Sequence, residues 1–394
     1  MTEEHPTSKA GARDGAALAT SVASGTGTDQ DAEIEAFFEH CPGSFAQQTP
    51  AWRNVIAPLG PDAPHFLVCR RAGEVVGVMP AYAFDGPLGR ILTSVPQAGP
   101  LGGIACGWAA GAEAVYDALL EAYLALANSL DAVVATLITN PFHPDRALYE
   151  KRFRPDYDLE NVTQVLDLEE DLDEGGMPAR MSANLRRNLR KATSGGLRID
   201  EDQSAENLEA WYAIHAERHA EIGATPLPRE LFRGALAEMV PKNKARFFFV
   251  RRTAGRGEIV AGGFYVFHDQ VIDALMPSTA KAYANLAPNF LLAAHTIRWA
   301  RERGLRYYNW EPSPPAGGVY RFKRQWGSRD ITYHYLTRVT GDAAPFLQST
   351  PAEISRHYPW HFVLPFDKVG SAEGDAREGS SREAAWAARY GSER

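Results

Sequence analysis

Leu286–Tyr335 reads LAPNFLLAAHTIRWARERGLRYYNWEPSPPAGGVYRFKRQWGSRDITYHY. Pro288 suits a first helical position, where its missing N–H costs nothing. Phe290, Ala293, Ala294, Ile297 and Ala300 then recur at helical spacing. Arg301 and Arg303 fall in the last turn, where they complement the helix dipole, and Gly304 is placed to end it. An aromatic strand, Arg306–Trp310, leads into a Pro/Gly loop and the octapeptide Tyr320–Gly327. That octapeptide sets Lys323 between aromatics, with Arg321 and Arg324 on either side. A cation fixed against an apolar wall serves a substrate phosphate, or a carbonyl oxygen that gains charge during reaction.

Outward from this stretch, the chain repeats itself. Phe247–Arg252, a turn with Gly255 and Gly257, and Ile259–Gly262 read as a β-hairpin; so do Phe66–Arg71, its Gly turn, and Val75–Val78. Each hairpin is followed by a further strand (Val271–Met276; Ile91–Val95), a helix (Pro288–Arg303; Glu113–Ser129) and another strand (Arg306–Trp310; Val133–Thr139). Two β-β-β-α-β units predict a duplicated α/β domain. The expected organisation is a disordered tail over 1–30, a first domain over 31–178 and a second over 179–345. A C-terminal segment at 346–368 would pack on the body, with a disordered tail at 369–394.

Composition narrows the function classes. A chain of 394 residues with a net charge of −8 and a pI near 5.8 is no general coat for DNA or anionic membrane. Three cysteines without CxxC or Cys/His spacing speak against a disulfide framework and a structural zinc site. His215 and His219 stand at i,i+4, but no third ligand accompanies them. The acidic start lacks a secretory signal, and no apolar run is long enough to span a bilayer, so a cytoplasmic location is expected.

Against that acidic background, Arg180–Ala192 is basic. Met181, Leu185, Leu189 and Ala192 form an apolar stripe, with Arg186, Arg187, Arg190 and Lys191 away from it. Like charges at i,i+4 repel, so this face reads as a phosphate site. The alternative is a solvated face balanced by Glu169, Glu170 and Asp171.

The order of segments, "LRRNLRKA…GL", a hairpin, "APNFLLAAHTIRWARERGLRYYNW" and "GGVYRFKRQWG…YHY", resembles the Fem-type peptidoglycan-bridge aminoacyltransferases and the BioF2-like branch of the GNAT acyltransferases. The resemblance runs over about 180–335. It extends more weakly over 45–165, where Phe45–Trp52 looks like the family's F-Q-x-P-x-W opening. It implies an α/β fold of two tandem GNAT-like domains facing a shared cleft. It also implies transfer of an acyl or aminoacyl group from a CoA thioester or aminoacyl-tRNA to an amine, such as a small molecule or a peptidoglycan precursor. No permanently bound cofactor or metal is implied.

In the family the Phe-Lys pair, here Phe322-Lys323, lies at the acceptor cleft. The expected catalytic residues are therefore Lys323, for oxyanion or phosphate stabilisation, and Glu311, as the base just beyond a strand end. Expected substrate contacts are Tyr320, Arg321, Phe322, Arg324, Trp326, Asn289 at a helix start, Asn309, Arg186 and Arg190. Asn309 stands where the family usually has Asp, which removes an anion there unless Glu311 supplies it. The usual GNAT pyrophosphate loop is absent at 283–288, and so is a coiled-coil arm. A different class stays open because of Asn309 and because Glu311 reads equally as a solvated loop carboxylate: a non-catalytic module binding a nucleotide-linked sugar or an assembly partner.

Overall fold

The repeated hairpin–helix–strand unit is present twice in the computed structural model, which describes residues 17–60, 64–95, 102–107, 111–143, 145–169, 182–255, 257–313, 317–359 and 361–370. β1 (Leu18–Ser24), α1 (Asp31–Glu39) and α2 (Pro50–Ile56) come first. The first unit is β2 (Pro64–Arg71), β3 (Glu74–Gly86), β4 (Gly89–Thr93), β5 (Ala105–Cys106), α3 (Ala112–Ser129), β6 (Val134–Ile138), α4 (Arg146–Phe153) and β7 (Tyr157–Asp167). Between the units lie α5 (Ala183–Ser194), β8 (Leu197–Asp200), α6 (Ala205–Glu221) and α7 (Arg229–Glu238). The second unit is β9 (Ala245–Arg252), β10 (Ile259–His268), β11 (Val271–Ala274), β12 (Ser278–Thr279), α8 (Pro288–Glu302), β13 (Tyr307–Asn309), α9 (Gly318–Arg324) and β14 (Arg329–Val339). α10 (Ala344–Gln348) and α11 (Pro351–His357) follow.

The correspondence extends to detail. β4 runs parallel to β6 and β11 parallel to β13, each across its unit's helix. β3 carries β5 at Gly77 and Val78, and β10 carries β12 at Ala261 and Gly262. Each hairpin also has a register shift near its turn.

The two halves exchange their last strands. The sheet order is β1-β2-β3-β4-β6-β14-β7-β13-β11-β10-β9-β8. β14, from the second unit, pairs β6 of the first; β7, from the first, pairs β13 of the second. The two exchanged strands pair each other from Arg329↔Val165 to Thr337↔Tyr157. The expected boundary at 178/179 lies outside the described residues. No cut there would leave two self-contained sheets.

The tail expected over 1–30 is corrected by β1. It pairs antiparallel with β2 from Leu18↔Arg71 to Ser24↔His65. Arg70 reaches across to Ser21 Oγ at 2.8 Å. An edge strand needs only backbone pairing and small side chains, so its Ala/Ser/Thr composition carries no hydrophobic period. Residues 1–16 and 371–394, Glu170, Asp171, Arg180 and Met181 lie outside the described residues. Residues 346–369 pack through Phe346, Ile354, Tyr358, Val363, Leu364 and Val369 onto Ile91 and Val134.

Helices cover both faces of the second half-sheet. α5 and α8 bury Leu185, Ala192, Leu292, Ala293 and Ile297 on one face. On the other, α2 from the first half packs with α6 and α7, joining Trp52, Val55 and Ile56 to Trp211, Phe232 and Phe264. Thr49 caps α2, its hydroxyl accepting from Trp52 N, with Pro50 at the first turn. The preceding 3-10 turn, Ala46–Gln48, is thereby anchored against the second half.

Candidate active site

β11 and β13 stay paired only as far as Asp273↔Asn309. Beyond that point they part. Leu275 N bonds to Phe264 O on β10 at 3.1 Å, while Trp310 N bonds to Gln164 O on β7 at 2.9 Å. The fork opens at the carboxyl ends of two parallel strands, where α/β sheets place ligands. Two non-glycine residues beside it have left-handed backbones: Glu311 at φ +63° and Ala287 at φ +58°, the N-cap of α8. Such conformations are disfavoured for side chains with a Cβ and gather at functional sites.

The fork holds two buried carboxyl groups. Asn309 Nδ2 donates to Asp273 Oδ1 at 2.7 Å and to Glu311 Oε1 at 3.1 Å. Its Oδ1 accepts from Thr163 Oγ1 at 2.5 Å and from Glu311 N at 3.2 Å, which fixes the amide's orientation. Gln47 Nε2, from the first half, donates to Asp273 Oδ2 at 3.2 Å. Burial pushes the Asp273 carboxyl up to about 7, against the hydrogen bonds from Asn309 and Gln47. Burial, and then the Asp273 charge, raise Glu311 well above the carboxylate range, while Lys323 opposes the rise. Two acids this close cannot both ionise readily, so the pair retains a proton near neutrality.

Lys323 is 5% exposed, so it does not point into bulk solvent. Its Nζ donates to Glu311 O at 2.7 Å and to Pro312 O at 3.3 Å, tying α9 to the loop that leaves β13. Phe322 lies in an aromatic wall beside it, 5.0 Å from Phe290, 5.9 Å from Trp310 and 6.1 Å from Trp326 between ring centroids. Lys323 is thus buried on a short helix, next in sequence to the phenylalanine that joins this wall.

The remaining expected contacts are more dispersed. Asn309 is in the carboxyl network, and Trp326 is fully buried. Tyr320 donates to Asp330 at 2.6 Å, and Arg324 to Ser328 O at 3.0 Å; Arg321 is exposed. Asn289 is exposed at the start of α8, with its Oδ1 held by Thr279 Oγ1. Arg186 and Arg190 lie on the exposed face of α5, which is joined to α9 by Asn184 Nδ2 to Gln325 Oε1 at 2.8 Å. Of the acidic neighbours expected for α5, Glu169 instead pairs with Arg306 at 3.4 Å.

Sequence reading missed Asp273 and gave Gln47 no role. Asp273 could have been found as the one charge in the apolar strand Val271–Met276. The anion thought lost at Asn309 is supplied by this neighbour. His215 is buried and its ring stacks on Trp211; burial lowers its pKa to about 3. Among the described residues no three His, Cys, Asp or Glu side chains gather as a metal site.

The first unit's corresponding fork is closed. β4 and β6 part after Thr93↔Thr136. Ser94 Oγ then accepts from Ile138 N at 3.2 Å, and Tyr123 Oη lies 2.8 Å from Thr136 O and 3.2 Å from Leu92 O. Residues 94–104 connect β4 to β5, against only 275–277 between β11 and β12. The described end of this longer link, at 102–104, passes the end of β6. A Cβ at Gly103 would come within 2.5 Å of Ile138 O and Tyr149 Oη, so only glycine lets the chain pass. Tyr149 and Phe153 on α4 are spaced i,i+4, as are Phe322 on α9 and Trp326 just beyond its end. Glu150 then occupies the place of Lys323 in that spacing, so the first unit has no cation at this position.

One family model matches within the same half, while solved structures align over both. Residues 179–324 match the family described as the acetyltransferase (GNAT) domain. Among solved structures, FemX aligns with a TM-score of 0.60 at 15% identity, covering 78% of this chain and 96% of that one. L-PGS from Bacillus licheniformis aligns at 0.51 and 14%, over 80% and 93%. The C-terminal domain of a putative lysylphosphatidylglycerol synthetase from Agrobacterium fabrum aligns at 0.53 and 13%, over 80% and 93%. No curated protein matches the chain. At these identities the likeness is one of fold. Residues 179–324 are thus similar to the acetyltransferase (GNAT) domain, within an overall fold like that of FemX.

Proposed function

We propose that this protein transfers an acyl or aminoacyl group from a CoA thioester or an aminoacyl-tRNA ester to an amine, at the fork between β11 and β13. The observation that carries the reading is the pair of buried carboxyls, Asp273 and Glu311, bridged by Asn309 beside buried Lys323. Amide formation needs the amine deprotonated, the carbonyl oxygen stabilised as it gains charge, and the leaving group protonated. A carboxyl whose proton affinity burial has raised suits the first task. Glu311 is the proton acceptor, with Asp273 setting its affinity for the proton. Lys323 positions the loop carrying Glu311 and adds positive potential at the reacting carbonyl.

The GNAT domain favours an acyl-CoA donor. The missing pyrophosphate loop and the basic face of α5, joined to α9, support an aminoacyl-tRNA instead. The Fem-type resemblance and the fold shared with FemX favour a cell-envelope precursor as acceptor. The non-catalytic alternative drew on Asn309 and on a solvated Glu311. Asp273 beside Asn309, and the burial of Glu311, argue against it. Incubation with radiolabelled acetyl-CoA or aminoacyl-tRNA and a panel of amines, followed by mass spectrometry, tests the reading. A labelled amide is expected; no labelled product with either donor would overturn it.

A further inference from the structure

We infer that Gln47, with Asp273 and Glu311, forms the acceptor-recognition end of this site and selects a primary amine presented as its ammonium ion. The inference rests on the acyl-transfer reading and names the chemical class of the acceptor. Gln47 belongs to the first half, 226 positions before Asp273. It sits on the Ala46–Gln48 turn, which is held rigidly. Gln48 Oε1 accepts from Phe45 N at 2.8 Å, Gln48 Nε2 donates to Gly103 O at 3.0 Å, and Thr49 Oγ1 donates to Ala46 O at 2.7 Å. The plugged first unit thus helps to set a residue of the second unit's site.

The Gln47 side chain is fully buried. Its Nε2 is committed to Asp273 Oδ2, while its Oε1 is buried and accepts no hydrogen bond among the described residues. A buried amide oxygen in a native protein nearly always has a donor. An occupant here must bring N–H or O–H groups, and the adjoining carboxyls favour positive charge. A primary ammonium carries three donors and no acceptor, and Gln47 Oε1, Asp273 and Glu311 supply three acceptors. An alcohol carries one donor and no charge. A site built to hydrogen-bond a substrate rejects analogues that lack the bonding groups.

The proton count follows. The carboxyl pair takes one proton from the ammonium, freeing the nitrogen lone pair to attack the acyl carbon. The C–N bond forms, and the bond to sulfur or oxygen of the donor then breaks. The nitrogen's second proton passes to that leaving atom, and the third remains in the amide.

The test compares initial rates of the full-length wild type and Gln47→Met with acetyl-CoA as donor, or with aminoacyl-tRNA where only that supports turnover. The acceptor probes are n-butylamine and n-butanol. Gln47→Met should raise the butylamine KM about tenfold with a smaller change in kcat, and should narrow the preference for amine over alcohol. Gln47→Glu keeps an acceptor oxygen and adds negative charge, so its butylamine KM should stay at or below the wild-type value. It also serves if the Met variant fails to fold. An unchanged amine KM in Gln47→Met, or a tenfold rise in Gln47→Glu, would overturn this inference alone. Absence of any amine acylation by the wild type would overturn the underlying reading as well.

Discussion

Lys323 Nζ donates to the main-chain carbonyl of Glu311 at 2.7 Å, so the buried cation holds the backbone that presents the carboxyl. Glu311 needs that hold. Its φ of +63° is a conformation that a residue with a Cβ adopts only when its surroundings enforce it. Cation, strained turn and carboxyl form one unit, and the hairpin–helix–strand scaffold brings them to the fork.

Lys323→Ala removes the donor to two carbonyls, Glu311 O and Pro312 O. Leaving buried acceptors unmet costs about 1–3 kcal/mol, which a thermal melt would register. Turnover should fall on the order of a hundredfold or more. Wild-type turnover in a folded Lys323→Ala protein would remove the residue from the mechanism.

Asp273 supplies a pH test of stability. Its carboxyl ionises near 3.8 when exposed and near 7 in the fold, so the folded state holds the proton more tightly. Its contribution to stability is complete below about pH 4 and is lost as pH rises through about 7. Asp273→Asn abolishes this titration. The variant's melting temperature relative to wild type should therefore be more favourable at pH 8 than at pH 5. An equal difference at both values would show that Asp273 ionises normally.

Tyr149→Phe probes the closed fork. The hydroxyl accepts from Ile104 N at 2.8 Å inside the first unit, far in the chain from the second unit's site. Removing it should cost about 1–3 kcal/mol of stability and leave kcat within twofold. A large loss of turnover without loss of stability would mean that the first unit also takes part in chemistry.

Charge reversal at Arg186 and Arg190 addresses the donor. Both lie on the exposed face of α5, next to α9. With a phosphate-bearing donor, the double Glu variant should raise donor KM about tenfold at low salt, and the difference should shrink towards 0.5 M salt. A KM that is unchanged at low salt would return α5 to a plain solvated face.

Much of the scaffold was legible because its signals are local. Pro288 and Gly304 bracket α8, and the two aromatic hairpins turn at glycine, so the duplicated unit can be read without a partner strand in view. β1 and the exchange of β7 with β14 were not legible, since pairing between distant strands leaves no mark on either sequence. Lys323 and Glu311 stood out through their aromatic and strand-end neighbours. Asp273 and Gln47 lie 226 positions apart and meet only across the fold. Neither residue's own surroundings announce that contact, although a lone acid in an apolar strand was a usable hint.

The most direct measurement is the rate of acyl transfer to an amine by Glu311→Gln, taken with its melting curve. The account predicts a folded protein whose transfer rate falls on the order of a hundredfold or more, because an amide keeps the shape but cannot take the proton. A folded Glu311→Gln that transfers at the wild-type rate would contradict it.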